Sequence, residues 1–237
     1  GYQAIKDGVA KNIDVMIGTV SGEYDFEAID WDNSISEPVE DPQPIIDYLG
    51  VMQDRAGSAI VKWSPLGHDD IINEYLALDD DPVKRWADLF NDTHYRQTAI
   101  FIAEALSKAG SDVYMYYWEW APDKEAVLEA EGDSAEVSPW GRPMHCMEQI
   151  LVFGCVEEGY PELAGPAEGI PEELLKATQL TWYSFAKEGD PNNNLIGEWN
   201  TYNTKTRETM VIGADSSWEI QKDPRAEDRK VLDKIRP

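Results

Sequence analysis

Val15-Met16-Ile17-Gly18-Thr19-Val20-Ser21-Gly22-Glu23 opens as an apolar run and closes in small polar residues, the pattern of a buried strand that delivers a loop at its carboxyl end. In an open α/β sheet, functional groups collect where such loops converge, which makes the carboxylate of Glu23 the first candidate for chemistry. Downstream, Asp92 or Thr93 can cap a helix running to about Lys108, with Tyr95, Ala99, Ile102, Ala103 and Leu106 on one face and Gly110 at its end. Asp112 to Trp120 is rich in Tyr, Val and Trp, as in a strand buried on both faces. A helix followed by a strand marks an α/β unit.

The remaining chain extends this pattern. Ile35 to Asp81 reads as polar turns and helices broken by Pro38, Pro42, Pro44 and Pro65, an irregular, cap-like region without a clean period. Acidic and proline-containing residues from Pro122 to Pro143 read as a long loop, after which His145 opens an apolar segment. Glu172 to Lys187 is a second helix, with Leu174, Leu175, Leu180, Trp182 and Phe185 as its candidate buried side. Gly189-Asp190-Pro191-Asn192 stops it; Thr209 to Gly213 is a further short strand and Arg225 to Ile235 a terminal helix.

With 237 residues and 42% apolar content, the chain can bury a sizeable core, as one domain or as part of a larger one. Its 46 acidic against 20 basic residues give a formal charge of −26, spread in short runs such as Asp79-Asp80-Asp81. Such a surface repels nucleic acid and anionic lipid, so neither is an expected partner. It serves solubility, with a high-salt habitat as the second reading. Cys146 and Cys155 form neither a disulfide framework nor a Cys-x-x-Cys site. No run of about 18 apolar residues is present for a membrane span. Gly1 to Lys11 lacks the apolar stretch of a signal peptide, and the compartment stays open.

His68 lies in a Gly-His-Asp-Asp turn and His94 in the first turn of a charged helix, and both read as surface or helix-end residues. His145 differs, because it follows a long loop and directly precedes an apolar segment, so that a rigid element can hold an exposed ring. A carboxylate such as Glu23 can orient a histidine by accepting its Nδ1 proton and can stabilise the imidazolium that forms during catalysis. Each residue alone also reads as an ordinary loop or capping residue; their proximity in space decides the matter.

The string from Trp182 through Tyr183-Ser184-Phe185-Ala186-Lys187-Glu188-Gly189-Asp190-Pro191 to Asn192, followed by Trp199 and Tyr202, resembles the C-terminal signature of the type-B carboxylesterases, which include cholinesterases and para-nitrobenzyl esterases. Gly18 to Phe26 is similar to that family's acid loop, a Gly-x-Asn-x-x-Glu-Gly type of turn, and Glu23 falls on its catalytic glutamate. His145 to Gly154 resembles its histidine segment, a His followed three residues on by a Glu and then by an apolar run ending in Phe-Gly. The sequence departs from the pattern at Val20, where Asn is usual, at Tyr24, where Gly is usual, and at Cys146, where Gly is common.

The resemblance implies the C-terminal part of an α/β-hydrolase fold, with residues 1–237 supplying the later strands of a mostly parallel sheet, and ester hydrolysis through a Ser-His-Glu triad of which Glu23 and His145 are acid and base. It implies no cofactor and no metal. The family's serine sits in a Gly-x-Ser-x-Gly elbow. The nearest imitation here, Gly132-Asp133-Ser134-Ala135-Glu136, lacks the second glycine and falls between acid and base, so Ser134 reads as a solvated loop residue. A glycine-rich oxyanion loop is absent too. The expectation is therefore a chain inactive alone, pairing with a separate N-terminal portion of the enzyme through nicking, a split gene or co-expression, and acting on a small-molecule ester. The alternatives are a non-catalytic cholinesterase-like adhesion module and a stand-alone hydrolase using paired carboxylates.

Overall fold

The structure, a computed structural model, describes residues 2–23, 25, 43, 46–47, 50, 63–132, 135, 137–155 and 169–236. One sheet of four strands runs in the order β1 (Val15–Val20), β2 (Val113–Trp118), β3 (Glu208–Ile212) and β4 (Trp218–Lys222). The first three are parallel, with Val15 opposite Val113 and Val20 opposite Trp118; β4 returns antiparallel along β3. Around them lie α1 (Tyr2–Lys6), α2 (Asp69–Leu76), α3 (Pro82–Asn91), α4 (Gln97–Ala109), α5 (Lys124–Glu131), α6 (Met147–Phe153), α7 (Glu172–Glu188) and α8 (Ala226–Leu232).

Helices cover both faces of the sheet, as its parallel strands require. On one face Tyr114, Trp118, Met210 and Ile212 pack against Ile150 and Leu151 of α6, Leu174 of α7, and Trp199. On the other, Val113 and Met115 meet Ala99, Ile100, Ala103 and Leu106 of α4, together with Tyr202. β2 is buried on both sides, as its composition implies. β1 is not: Val15 to Gly18 are half-buried and only Thr19 and Val20 are fully covered, because among the described residues β1 has a strand partner on one side alone.

Several local expectations change. The helix expected to start at Asp92 or Thr93 is the continuation of α3, which begins at Pro82 with Asp81 accepting the Lys84 amide at 3.0 Å. One turn of π-helix, Asp92–Arg96, joins it to α4. Neither residue caps the start of a helix. Asp92 is buried and takes the Tyr75 hydroxyl at 2.7 Å and Arg225 Nη1 at 3.0 Å, while the Thr93 hydroxyl donates back to the Leu89 carbonyl. Asp81-Pro82, a capping residue followed by proline at the first helical position, was the start signal that mattered. The expected loop from Pro122 to Pro143 contains α5, because Asp123 caps it through the Ala126 amide and Val127 is buried.

Within Ile35 to Asp81, the part described beyond residue 63 holds α2, and much of what precedes it lies outside the described residues. α7 ends where expected, with Gly189 left-handed at φ +74°. Its fully buried seam, however, is Leu174, Ala177, Thr178 and Thr181; Leu175, Leu180, Trp182 and Phe185 are only half-covered. Small residues let the helix approach closely, and the Thr178 hydroxyl is satisfied by the Leu174 carbonyl at 2.8 Å. Beyond the helix, Asn192 donates to the Trp199 carbonyl at 3.0 Å and accepts the Trp199 amide at 2.7 Å, which closes the loop.

Gly18 is required by the strand pairing. It lies opposite Tyr116, and a Cβ there would come within 2.4 Å of the Tyr116 ring, which sits flat on the glycine. Gly18→Ala should therefore lower stability by about 1–3 kcal/mol, read as a lower urea midpoint at constant slope. An unchanged midpoint would show that the ring does not occupy this place.

Candidate active site

The carboxyl ends of β1 and β2 are level, and the Ser21 amide donates to the Trp118 carbonyl at 2.9 Å as the first strand gives way to its loop. Gly22 then meets the histidine loop directly: its amide donates to the Pro143 carbonyl at 3.1 Å, and it forms a parallel bridge with Met144. A Cβ at Gly22 would lie 2.5 Å from Asp25 and 3.0 Å from Pro143, so the two loops come this close only because no side chain intervenes.

This contact brings together the two residues singled out in the sequence. His145 Nδ1 lies 2.6 Å from Glu23 Oε2 although 122 positions separate them. Glu23 is buried, and its other oxygen accepts the Val20 amide at 3.0 Å, so the carboxylate is held at both ends. The His145 side chain remains 43% exposed. The hydrogen bond to Glu23 raises the imidazole pKa, burial opposes it, and the negative charges of Glu23 and Glu148 add to the rise. An imidazole held at Nδ1 by a carboxylate can exchange protons at Nε2. The Tyr95 ring, carried by the π-helical turn, packs at 5.3 Å from the imidazole.

Glu148 was visible in the sequence only as part of the histidine segment. On the first turn of α6 it is pushed up to about 7, by burial first and by the neighbouring Glu23 second, while the Tyr116 hydroxyl donates to its Oε1 at 3.4 Å. Cys146 adopts a left-handed conformation at φ +68° just before α6, where a glycine would be unstrained. Burial and the nearby carboxylates raise its thiol pKa, so it is not the thiolate that a cysteine nucleophile needs. Ser134 lies outside the described residues.

The other histidines stand apart from the pair. His68 is exposed, as expected. His94 is not the surface residue its charged surroundings imply: it stacks on Phe90 at 4.4 Å, and burial pulls its pKa down to about 4, so it stays neutral. Among the described residues no cluster of three or more His, Cys, Asp or Glu side chains is arranged to hold a metal ion, and no helix is long and apolar enough to cross a membrane.

A mostly parallel sheet with helices on both faces and a carboxylate–imidazole pair at its strand ends defines the class as α/β-hydrolase. The profile of the carboxylesterase family matches residues 2–231, and the chain belongs to that family. Carboxylesterase 1C of Rattus norvegicus is 28% identical over 141 residues, which are 57% of this chain and 23% of that protein. A PNB esterase structure superposes with a TM-score of 0.67 at 24% identity, over 98% of this chain and 40% of its own. The Geobacillus stearothermophilus carboxylesterase gives 0.66 at 20% identity, over 97% and 42%. The chain thus spans about a quarter of the curated relatives and about two fifths of the solved structures it matches.

Glu148 supplies a pH test. Its folded pKa of about 7 stands above the ordinary 4.5, so the folded state holds more protons between these values and stability falls as pH rises through that window. Glu148→Gln should remove that loss, flattening the wild-type decline in denaturation midpoint between pH 4.5 and 7. Parallel declines in both proteins would show that Glu148 does not titrate there.

Proposed function

We propose that Glu23 and His145 are the acid and base of carboxylic ester hydrolysis, and that residues 1–237 form the C-terminal portion of a carboxylesterase domain whose serine and oxyanion hole come from sequence outside these residues. The observation that carries this reading is the 2.6 Å contact between His145 Nδ1 and a buried, doubly held Glu23 carboxylate. A carboxylate at that distance favours hydrogen on Nδ1, which makes Nε2 the basic nitrogen in this reading.

In this scheme Nε2 takes the serine proton as the oxygen attacks the ester carbonyl. Glu23 stabilises the imidazolium, which then returns the proton to the departing alkoxide. Water, deprotonated by the same nitrogen, releases the acid from the acyl-enzyme. Because the base form is required and Glu23 raises the pKa of the ring, activity should rise with pH through a midpoint above 6.5. The partner segment would add strands beside β1, whose half-buried residues Val15 to Gly18 fit an edge that another strand covers.

The test is a p-nitrophenyl ester assay with and without the upstream portion of the same enzyme. Activity in the complemented sample alone is expected, and His145→Ala should lower it by roughly a thousandfold or more while co-elution of the two segments persists. Activity that survives the substitution removes His145 from the triad. A complemented assembly with no turnover on any p-nitrophenyl ester points instead to a non-catalytic binding module.

A further inference from the structure

Beside the acid–base pair lies a second link between the same two loops. Arg142, three residues before His145, meets Asp25, two residues after Glu23, in a forked ion pair: Nε to Oδ2 at 2.9 Å and Nη2 to Oδ1 at 2.6 Å. Its remaining nitrogen, Nη1, donates to Asp88 of α3, and its guanidinium lies 5.0 Å from the Trp140 ring. Asp25 is fully buried and also accepts Asn91 Nδ2 at 3.1 Å and the Ser138 hydroxyl. The acid loop, the histidine loop and α3 therefore meet on one guanidinium.

We propose that Arg142, through Asp25 and Asp88, is the positioning residue that holds His145 at hydrogen-bonding distance from Glu23. The proposal rests on the reading that Glu23 orients His145, and it adds the device that sets their separation. Gly22 is tied to Pro143 and Met144 by the backbone, and Asp25 to Arg142 by the ion pair, so the short Glu23–His145 contact lies between two attachments. A carboxylate–imidazole bond of 2.6 Å tolerates little play, and loops that drift by an ångström lose it. Arg suits this task because its planar fork spans both Asp25 oxygens and still reaches Asp88; an ammonium group offers one point of charge.

A device that only stabilises the fold differs from a positioning device in what it does to His145. Removing the Arg142 cation leaves more negative charge nearby, which by electrostatics alone raises the imidazole pKa. Loosening the Glu23 bond lowers it, because that bond is the largest cause of its elevation. The two effects have opposite signs.

The experiment is an NMR titration of the His145 ring in the intact chain and in Glu23→Gln, Arg142→Gln and Arg142→Lys, with near-UV circular dichroism to establish folding. The expected result is a fall in His145 pKa in every variant, largest in Glu23→Gln and at least about half a unit in the others. An unchanged or raised pKa in a folded Arg142 variant overturns the positioning role, while a fall in Glu23→Gln alone leaves the acid–base pair standing. If Glu23→Gln itself causes no fall, the pair fails along with the device. Should Arg142→Gln not fold, Arg142→Lys carries the same reading, since it keeps the cation and loses only the planar fork.

Discussion

The parallel register between β1 and β2 is the constraint on which the remainder depends. It sets Val20 opposite Trp118, so both strands end at one level and the first residues after β1 turn into the space where the histidine loop passes. A one-residue slip would move every side chain of β1 to the opposite face. Gly18 guards against that slip, because only at a position without a side chain can the Tyr116 ring lie on the neighbouring strand. The same tyrosine then donates its hydroxyl to Glu148, so strand pairing and the electrostatics around His145 share one aromatic ring.

Away from the strand ends, the fold is tied together by buried charge. Asp92 sits inside the π-helical turn with Arg225 and Tyr75, and Arg85 joins Asp88 to Asp228. These contacts fasten α3 and the turn to α8, which lies far along the chain. Buried ion pairs of this kind stabilise little relative to apolar packing, but removing one partner leaves an uncompensated charge and costs about 3–5 kcal/mol. Their main effect is to fix which arrangement of helices is allowed, and the turn they hold is the one that presents Tyr95 to His145.

Much of this was legible in the sequence, and the exceptions have physical reasons. The strand at Val15, the helix from Glu172 and its glycine stop were carried by local patterns that tertiary contacts do not override. The start of the central helix was misplaced because Asp92 has the chemistry of a cap, and only burial beside Arg225 makes it an interior residue. His94 was misread for a similar reason: charged neighbours along the chain say little about a ring stacked on Phe90. Glu23 and His145 were identified by position and resemblance, but the 2.6 Å between them depends on contacts across 122 residues that no local pattern records. The Arg142–Asp25 pair was missed altogether, since nothing in a lone arginine or a lone aspartate announces its partner.

The ion pairs also sort the protein's charge by depth. Arg85, Arg96, Arg142, Arg207, Arg225, Arg229 and Arg236, every arginine among the described residues, are paired with carboxylates, and none has a side chain more than 23% exposed. The cations that face water are mostly lysines, so the outer layer is more uniformly anionic than a formal charge of −26 conveys. Such a molecule carries a dense cloud of counter-cations and repels its own copies at low ionic strength. A neutral small molecule approaches such a surface unhindered, whereas an anionic one is driven outward by the field.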